Sequence, residues 1–349
     1  MDYMIYSVNF STMAYTSNSS NKNCETECIE IHNQWGHLNS LAQAMARRTS
    51  YERQRIRETY KAMYGEDLVD RLQKMLLNNY HGNHEICNAL SLWLLDQHER
   101  DALMAKEAFE NSETNYKALV EIYTGRKSSH LLLIKQVYQT KYRMQLDQHI
   151  LNSELPHSYQ KILIALATSH KSHQSEVSPH VAKCDARRLY ETGEGRGGAR
   201  GIEEGAILEI LSKRSIQQLK LTFETYKHIY GHNYAKSLKK ERNGEFEVAL
   251  RVVIKCMYAP PKYYAEHYSK LSSTNYAFQM LHSCIEGTTL DKTALARIMV
   301  SRAEIDMDEI QRVYKKKYAK DLRDAIRENN STGIDCKDFF VALAGIRTP

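Results

Sequence analysis

Several stretches of the chain carry residue types that could hold a ligand, a metal or a charged surface. Residues 193–201 read Gly-Glu-Gly-Arg-Gly-Gly-Ala-Arg-Gly and match GxGxxG at Gly193, Gly195 and Gly198. A dinucleotide site needs that loop between a strand and a helix, so that amides at the helix start face the pyrophosphate. Asp185 to Glu191 reads as helix, so no strand precedes the loop and a nucleotide site is not expected. Arg196-Gly197-Gly198 is a single RGG triplet, whereas RNA-binding segments use many. His170, His173, His180 and Cys184 are types that zinc accepts, but their spacing matches no finger pattern. They fall in a polar run, Ser169 to Ser178 followed by Pro179, that reads as a solvated linker. Cys24 and Cys28 read as unpaired thiols in a polar tail. The lysine runs Lys236-Ser237-Leu238-Lys239-Lys240 and Lys315-Lys316-Lys317 are either solvated helix faces or an attraction for anionic lipid, about 1 kcal/mol per lysine near a charged surface. No nucleophile, acid and base are grouped and no Walker-type lysine loop occurs, so the chain does not read as an enzyme.

The elements that position these residues follow from a skeleton that returns four times. An arginine is followed twelve residues later by a tyrosine and four later by another: Arg48/Tyr60/Tyr64, Arg126/Tyr138/Tyr142, Arg214/Tyr226/Tyr230 and Arg302/Tyr314/Tyr318. A fixed period of this kind marks a repeat architecture. Ile56, Tyr60, Tyr64 and Leu68, and again Ile134, Tyr138, Tyr142 and Leu146, form one buried stripe at helical spacing. Ile207, Leu208, Ile210 and Leu211 place a second helix before the arginine. Thr49/Ser50, Ser128/Ser129 and Ser215 are expected N-caps, and Gly65 and Gly231 expected C-caps. Each repeat is therefore several short helices.

The 349 residues carry a formal charge of +6 and a pI near 8.7, a mild excess that favours acidic partners such as anionic lipid or nucleic acid without choosing between them. Seven cysteines, odd in number and scattered, suit free thiols in a reducing compartment. Residues 1–33 have no basic start and no sustained apolar core, so no signal peptide is expected. No apolar run approaches the roughly 18 residues a spanning helix needs, and membrane contact is expected to be peripheral.

Longer segments carry a resemblance. Asp96-Gln97-His98-Glu99-Arg100-Asp101-Ala102 with Ala105-Lys106-Glu107-Ala108, Tyr64-Gly65-Glu66-Asp67-Leu68, Gly205 to Leu211, and Val300-Ser301-Arg302-Ala303-Glu304-Ile305-Asp306 resemble the annexin family, most of all its plant branch, from about residue 35 to the end. The resemblance implies an all-α fold of four repeats, five helices each, in a curved disc whose convex face docks on anionic membranes through calcium. The expected divisions are a divergent polar tail (1–34), repeat one (35–101), repeat two plus linker (102–180), repeat three (181–270) and repeat four (271–349). No counterpart of the family's first helix is recognisable in the tail, so repeat one is expected to lack it or to have diverged.

The resemblance also implies where calcium would sit. Calcium takes about six to eight oxygens. In the family a Gly-x-Gly-Thr turn supplies backbone carbonyls, and an acidic side chain from a later loop closes the cage. Here repeat one has Gln34-Trp35-Gly36-His37 at the turn and Met75 at the acid, and repeat two has Asn111-Ser112-Glu113-Thr114 and Ser153. Both sites are expected to be lost. Trp35 is left as a lipid contact or a packed loop residue. Repeat four carries Ile285, Gly287 and Thr289 at the turn but Asn329 at the acid, a weak or lost site. Repeat three has Gly197, Ala199 and Gly201, with Glu241 at the acid, and is the expected calcium site.

Asp101, Arg126, Glu121 and Arg302 match positions lining the family's central channel, paired as Asp101 with Arg126 and Glu121 with Arg302. Buried charges need partners wherever they occur, so these read first as structural pairs and second as an ion path. A histidine linked to peroxidase activity in plant members is replaced by Arg47, and of a cysteine pair proposed for redox work only Cys256 is present, with Thr124 at its partner position. The expectation is a cytosolic protein with membrane and stress-response roles, bound peripherally at the inner face of the plasma membrane or at endomembranes through Ca2+, with Lys239 and Lys240 as further lipid contacts. The alternative is a calcium-independent scaffold that binds lipid, actin or RNA. DNA is not an expected partner.

Overall fold

The computed structural model describes residues 23–346 apart from 34, 36, 78–83, 111–115, 155, 170–176, 197–201, 239–243, 266–284, 286–291 and 329–333. In chain order its helices are α1 (23–33), α2 (Leu38–Ala46), α3 (Ser50–Tyr64), α4 (Leu68–Leu77), α5 (His84–Leu94), α6 (Gln97–Glu110), α7 (Tyr116–Gly125), α8 (Ser128–Tyr142), α9 (Leu146–Asn152) and α10 (His157–Ser169). There follow α11 (Pro179–Glu191), α12 (Glu204–Lys213), α13 (Ile216–Tyr230), α14 (Tyr234–Ser237), α15 (Glu245–Tyr258), α16 (Pro260–Ala265), α17 (Lys292–Arg302), α18 (Met307–Tyr318), α19 (Leu322–Glu328) and α20 (Ile334–Leu343). The described residues contain no strand. The chain divides into two compact units, 1–96 with 267–349 and 97–266.

The repeated tyrosines explain the long helix of each repeat. Tyr60, Tyr138, Tyr226 and Tyr314 are all fully buried. Each pairs with the tyrosine one turn later, at ring-centroid separations of 4.7, 5.0, 4.8 and 4.8 Å, within the range where tilted aromatic pairs attract beyond simple burial. Thr49 starts α3 with a capping box: its hydroxyl accepts from the Glu52 amide, and the Glu52 carboxylate accepts from the Thr49 amide. Ser215 caps α13 through its hydroxyl alone, which accepts from the Gln218 amide. In repeat two the cap position falls one residue earlier, on Lys127, which offers no capping side chain. Gly65 and Gly231 end their helices at φ 71° and 74°. Repeats two and four make the same left-handed turn with Arg143 (φ 57°) and Ala319 (φ 54°), where a Cβ costs more than glycine would.

Each repeated arginine holds a carboxylate, supplied in the first three repeats by the helix two before the long one and in the fourth by a residue four positions on. Arg48 bonds Glu27 of α1 at 2.9 Å, Arg126 bonds Asp101 of α6, Arg214 bonds Asp185 of α11 at 2.7 and 3.0 Å, and Arg302 bonds Asp306 four residues on. The arginine thereby ties the turn before the long helix to a neighbouring segment in every repeat.

Of the two expectations for this region, an absent or a diverged first helix, the absent one is set aside by α1. Cys24, Cys28 and Ile31 are buried at helical spacing, Cys24 against the Thr59 hydroxyl and Cys28 against the Ile56 carbonyl of α3. Burial pushes the Cys28 thiol up to about 12, so these cysteines act as small apolar residues. The Ser- and Asn-rich composition around them hid the stripe.

In the first unit α17 packs on α5 and α2 on α20. Arg53, fully buried, lies 3.7 Å above the Trp93 ring and makes two 3.0 Å bonds to Glu304. In the second unit α6 packs on α7 and α8, α10 on α7, α12 and α15, and α11 on α13. A helix, α11, precedes the glycine-rich loop, as expected. A Cβ at Gly195 would meet the Tyr190 carbonyl at 3.1 Å and its ring at 3.2 Å, so packing alone accounts for that glycine.

Candidate functional site

The positions expected to hold calcium are best tested in repeat one, where Trp35 and His37 of the turn and Met75 at the acid position are described. The Trp35 indole N–H donates to Met75 Sδ at 3.0 Å, and the Arg71 guanidinium lies 4.3 Å above the indole ring. The turn and the acid position therefore meet in space, as the spacing predicts. They meet through an indole, a thioether and a cation, which offer calcium no oxygen and a repelling charge, so the ion does not fit. Trp35 is half-buried by these contacts, the packed alternative of the two readings.

In repeat two the turn 111–114 lies outside the described residues, but the acid position does not. Ser153 ends α9, and its hydroxyl donates to the Ile150 carbonyl at 2.8 Å. The Gln160 amide donates to the carbonyls of Ile150, Leu151 and Ser153 at 3.1, 2.9 and 3.3 Å. Gln160 thus occupies the carbonyls around the acid position. In repeat four Ile285 is buried, and Gly287, Thr289 and Asn329 lie outside the described residues. Glu328, beside the acid position, pairs with Lys320 at 2.9 Å.

Repeat three keeps the most favourable sequence, and Gly197, Ala199, Gly201 and Glu241 all lie outside the described residues. Their flanks are held. The Glu203 amide bonds the Thr192 carbonyl at 3.1 Å, bringing together the two ends of the loop that carries the turn. Glu194, three residues before Gly197, accepts from the Tyr226 hydroxyl at 3.1 Å and faces His232 Nε2 at 3.0 Å. His232 precedes the short helix α14, and the buried Leu238 after it leads toward position 241. Both halves of the expected site thus leave from segments joined through Glu194. Among the described residues no cluster of three or more His, Cys, Asp or Glu could hold a metal. His180 and Cys184 are exposed on α11 with Sγ 4.0 Å from Nδ1, while His170 and His173 lie outside the described residues.

The expected pair of Asp101 and Arg126 forms, at 2.5 and 2.9 Å with both side chains buried. Glu121 lies in the second unit, buried, and faces the Tyr263 hydroxyl at 3.5 Å. Arg302 lies in the first unit, where its Nε and Nη2 donate to Asp306. The Thr124 hydroxyl donates to Cys256 Sγ at 3.2 Å, so the two positions of the family's cysteine pair are adjacent but only one is a thiol. Lys315, Lys316 and Lys317 are exposed at the end of α18, as is Lys236 on α14, while Lys239 and Lys240 lie outside the described residues.

The sequence and backbone also match known proteins. The annexin family model fits residues 33–81, 100–166, 185–253 and 276–343. Human annexin A13 is 30% identical over 305 residues, spanning 87% of this chain and 88% of its own. The annexin-like protein RJ4 of Fragaria ananassa is 29% identical over 312 residues, spanning 89% and 91%. The solved structure of annexin III superposes with a TM-score of 0.72 at 31% identity, covering 88% of each chain.

Proposed function

Because this chain belongs to the annexin family, we propose that it attaches peripherally to anionic phospholipid membranes through calcium held in its third repeat. Annexins are known for calcium-dependent phospholipid binding, and among the described residues no helix is long and apolar enough to cross a membrane. One observation carries the assignment to Glu241. In repeat one the turn residue Trp35 touches Met75, which supports the same counting where it pairs the turn of repeat three with Glu241. Calcium would take backbone carbonyls of Gly197, Ala199 and Gly201 and the Glu241 carboxylate, leaving other positions to water and lipid phosphate. The chain's own part is to present those oxygens from a loop closed by the Glu203–Thr192 bond.

The test is co-sedimentation with phosphatidylserine vesicles, with calcium and with chelator, for the wild type and Glu241→Gln. The expected result is wild-type pelleting only with calcium and a soluble variant. Equal pelleting of both in chelator would overturn the calcium reading. It would favour a second one, in which the exposed Lys315–Lys317 run attracts anionic lipid, or a partner such as actin, with a strong salt dependence. Attachment at the cytosolic face of the plasma membrane or of endomembranes follows from either reading.

A further inference from the structure

A cleft of about 490 Å³ opens in the first unit between α18, α19 and the turn that follows α20. It is lined by Asp308, Gln311 and Arg312 of α18, Arg323 of α19, and Ala344 and Gly345. The left-handed turn at Ala319 (φ 54°) joins the two helices and brings Arg323 to the cleft that Arg312 lines. The Gln311 amide donates to the Ala344 carbonyl at 2.9 Å, fixing the end of α20 against α18, and Arg312 Nε donates to the Asp308 carbonyl at 3.3 Å. Arg323 Nε stands 3.6 Å from Asp321, and its side chain is 47% exposed. Lys315 and Lys316, three and four residues after Arg312, are exposed on the same side of α18.

Nothing in the repeated frame calls for these cations. Counted from the repeated arginine, the position of Arg312 holds Glu58, Gln136 and Glu224 in the other repeats, and that of Arg323 holds Val69, Asp147 and Ala235. The fourth repeat alone carries arginine at both. The helix dipole accounts for lysines in the last turn of α18. It does not account for Arg312 in the middle of that helix, nor for Arg323 in the first turn of α19, the end at which a cation is disfavoured. Two acids of α19 are engaged elsewhere, Asp324 with Arg327 at 3.0 Å and Glu328 with Lys320 at 2.9 Å. The segments that adjoin α19 and α20 outside the described residues read Asn329-Asn330-Ser331-Thr332-Gly333 and Arg347-Thr348-Pro349, which bring a further cation and no acidic side chain.

Two guanidiniums at one cleft suit phosphate oxygens, which take paired N–H donors from each planar fork. Asp308, one turn before Arg312, adds an acceptor at the same cleft. A bare phosphate chain has no use for that acceptor, whereas a hydroxyl donates to it. The volume lies within the range of about 300–1,000 Å³ that small-molecule sites occupy. Among the described residues no aromatic side chain lines the cleft as a platform for stacked bases. We propose that Arg312 and Arg323 form a binding site for a polyol carrying several phosphates, with Asp308 accepting from a ring hydroxyl and Lys315 and Lys316 strengthening the positive field beside it. Phosphorylated inositol has this chemistry, free in solution or as a lipid headgroup. The headgroup source rests on the membrane reading, and the soluble one does not.

The experiment uses the full chain in chelator at constant ionic strength. Calorimetric titration with inositol trisphosphate is compared with tripolyphosphate. Co-sedimentation with phosphatidylcholine vesicles carrying phosphatidylinositol bisphosphate is compared with phosphatidylserine vesicles of equal charge. Wild type should bind the trisphosphate saturably and more tightly than tripolyphosphate. Arg312→Gln combined with Arg323→Gln should weaken the midpoint about tenfold or more, as the loss of charged hydrogen bonds requires, and each single change should weaken it several-fold. Asp308→Ala should remove the preference over tripolyphosphate. Lys236→Gln removes the same charge at an exposed position in the second unit and should leave the midpoint unchanged. Arg312 and Arg323 are exposed, so the Tm of their variants should stay close to that of wild type. Chelator-resistant pelleting on the bisphosphate vesicles identifies a lipid headgroup, whereas trisphosphate binding without pelleting identifies a soluble polyol phosphate. An unchanged midpoint in the double variant, equal affinity for tripolyphosphate, or retention of a single-stranded RNA with no binding of the trisphosphate overturns the site. Glu241→Gln should leave trisphosphate binding intact, and the double variant should keep calcium-dependent pelleting on phosphatidylserine, so the failure of the calcium site and that of this cleft are read separately.

Discussion

Asp101→Asn isolates the role of the best-formed ion pair in the second unit. Asp101 is fully buried, and its two oxygens accept from Nε and Nη2 of Arg126, itself about 6% exposed. Asparagine keeps the shape but removes the charge, and its amide end turns a donor toward a donor. The buried guanidinium then loses the carboxylate that neutralises it, which costs about 3–5 kcal/mol in such sites. For a cooperative unit of this size that corresponds to a Tm loss of roughly 10 °C. Replacing both partners by apolar residues, Asp101→Leu with Arg126→Met, removes the orphan as well as the pair and should lie within about 1 kcal/mol of wild type or above it. Urea unfolding of the wild type, Asp101→Asn and the double variant measures both differences. A single variant within about 1 kcal/mol of wild type, or a double variant less stable than the single, would refute the view that the pair is held by mutual compensation.

Two further outcomes follow from the same geometry. Burial, with Glu110 nearby, pushes Glu107 up to about 7 from the ordinary 4.5. The fold therefore binds a proton more tightly than the unfolded chain, and this contribution to stability is present below about pH 4.5 and lost as pH rises through 7. Glu107→Gln should gain up to about 3 kcal/mol at pH 8 and nothing at pH 4, as read by urea unfolding at the two pH values; an equal gain at both would remove Glu107 as the cause. The chain has two tryptophans, of which Trp93 is fully buried and Trp35 is packed on Met75 and Arg71. Vesicles containing brominated lipid should leave the tryptophan emission of the bound protein unchanged, whereas quenching would mean that Trp35 leaves its packing and enters the bilayer.

How much the sequence discloses depends on whether a feature is periodic. The arginine and tyrosine positions recur in one register, so the long helices, the buried tyrosine stripe and the glycine C-caps at 65 and 231 could be located from spacing. Three kinds of feature could not. The helix α1 has only Cys24, Cys28 and Ile31 on its buried face, too few among polar neighbours to register as a stripe. Arg143 and Ala319 occupy left-handed positions where the other two repeats have glycine. The acids that hold the four arginines come from α1, α6, α11 and a turn four residues on, so no single spacing finds them.

The frame of the family has outlasted its site chemistry, and burial explains the difference. Thr124 still touches Cys256 and Trp35 still touches Met75, so positions that meet in the family meet here with other residues in them. The Arg126–Asp101 and Arg302–Asp306 pairs and the inner tyrosines are largely buried, and losing one leaves an unpaired charge or a cavity worth several kcal/mol. A carboxylate at a loop tip works in water, and exchanging it for methionine or serine costs the fold within about half a kcal/mol. A substitution at such a loop carboxylate therefore leaves the helices that carry it in place.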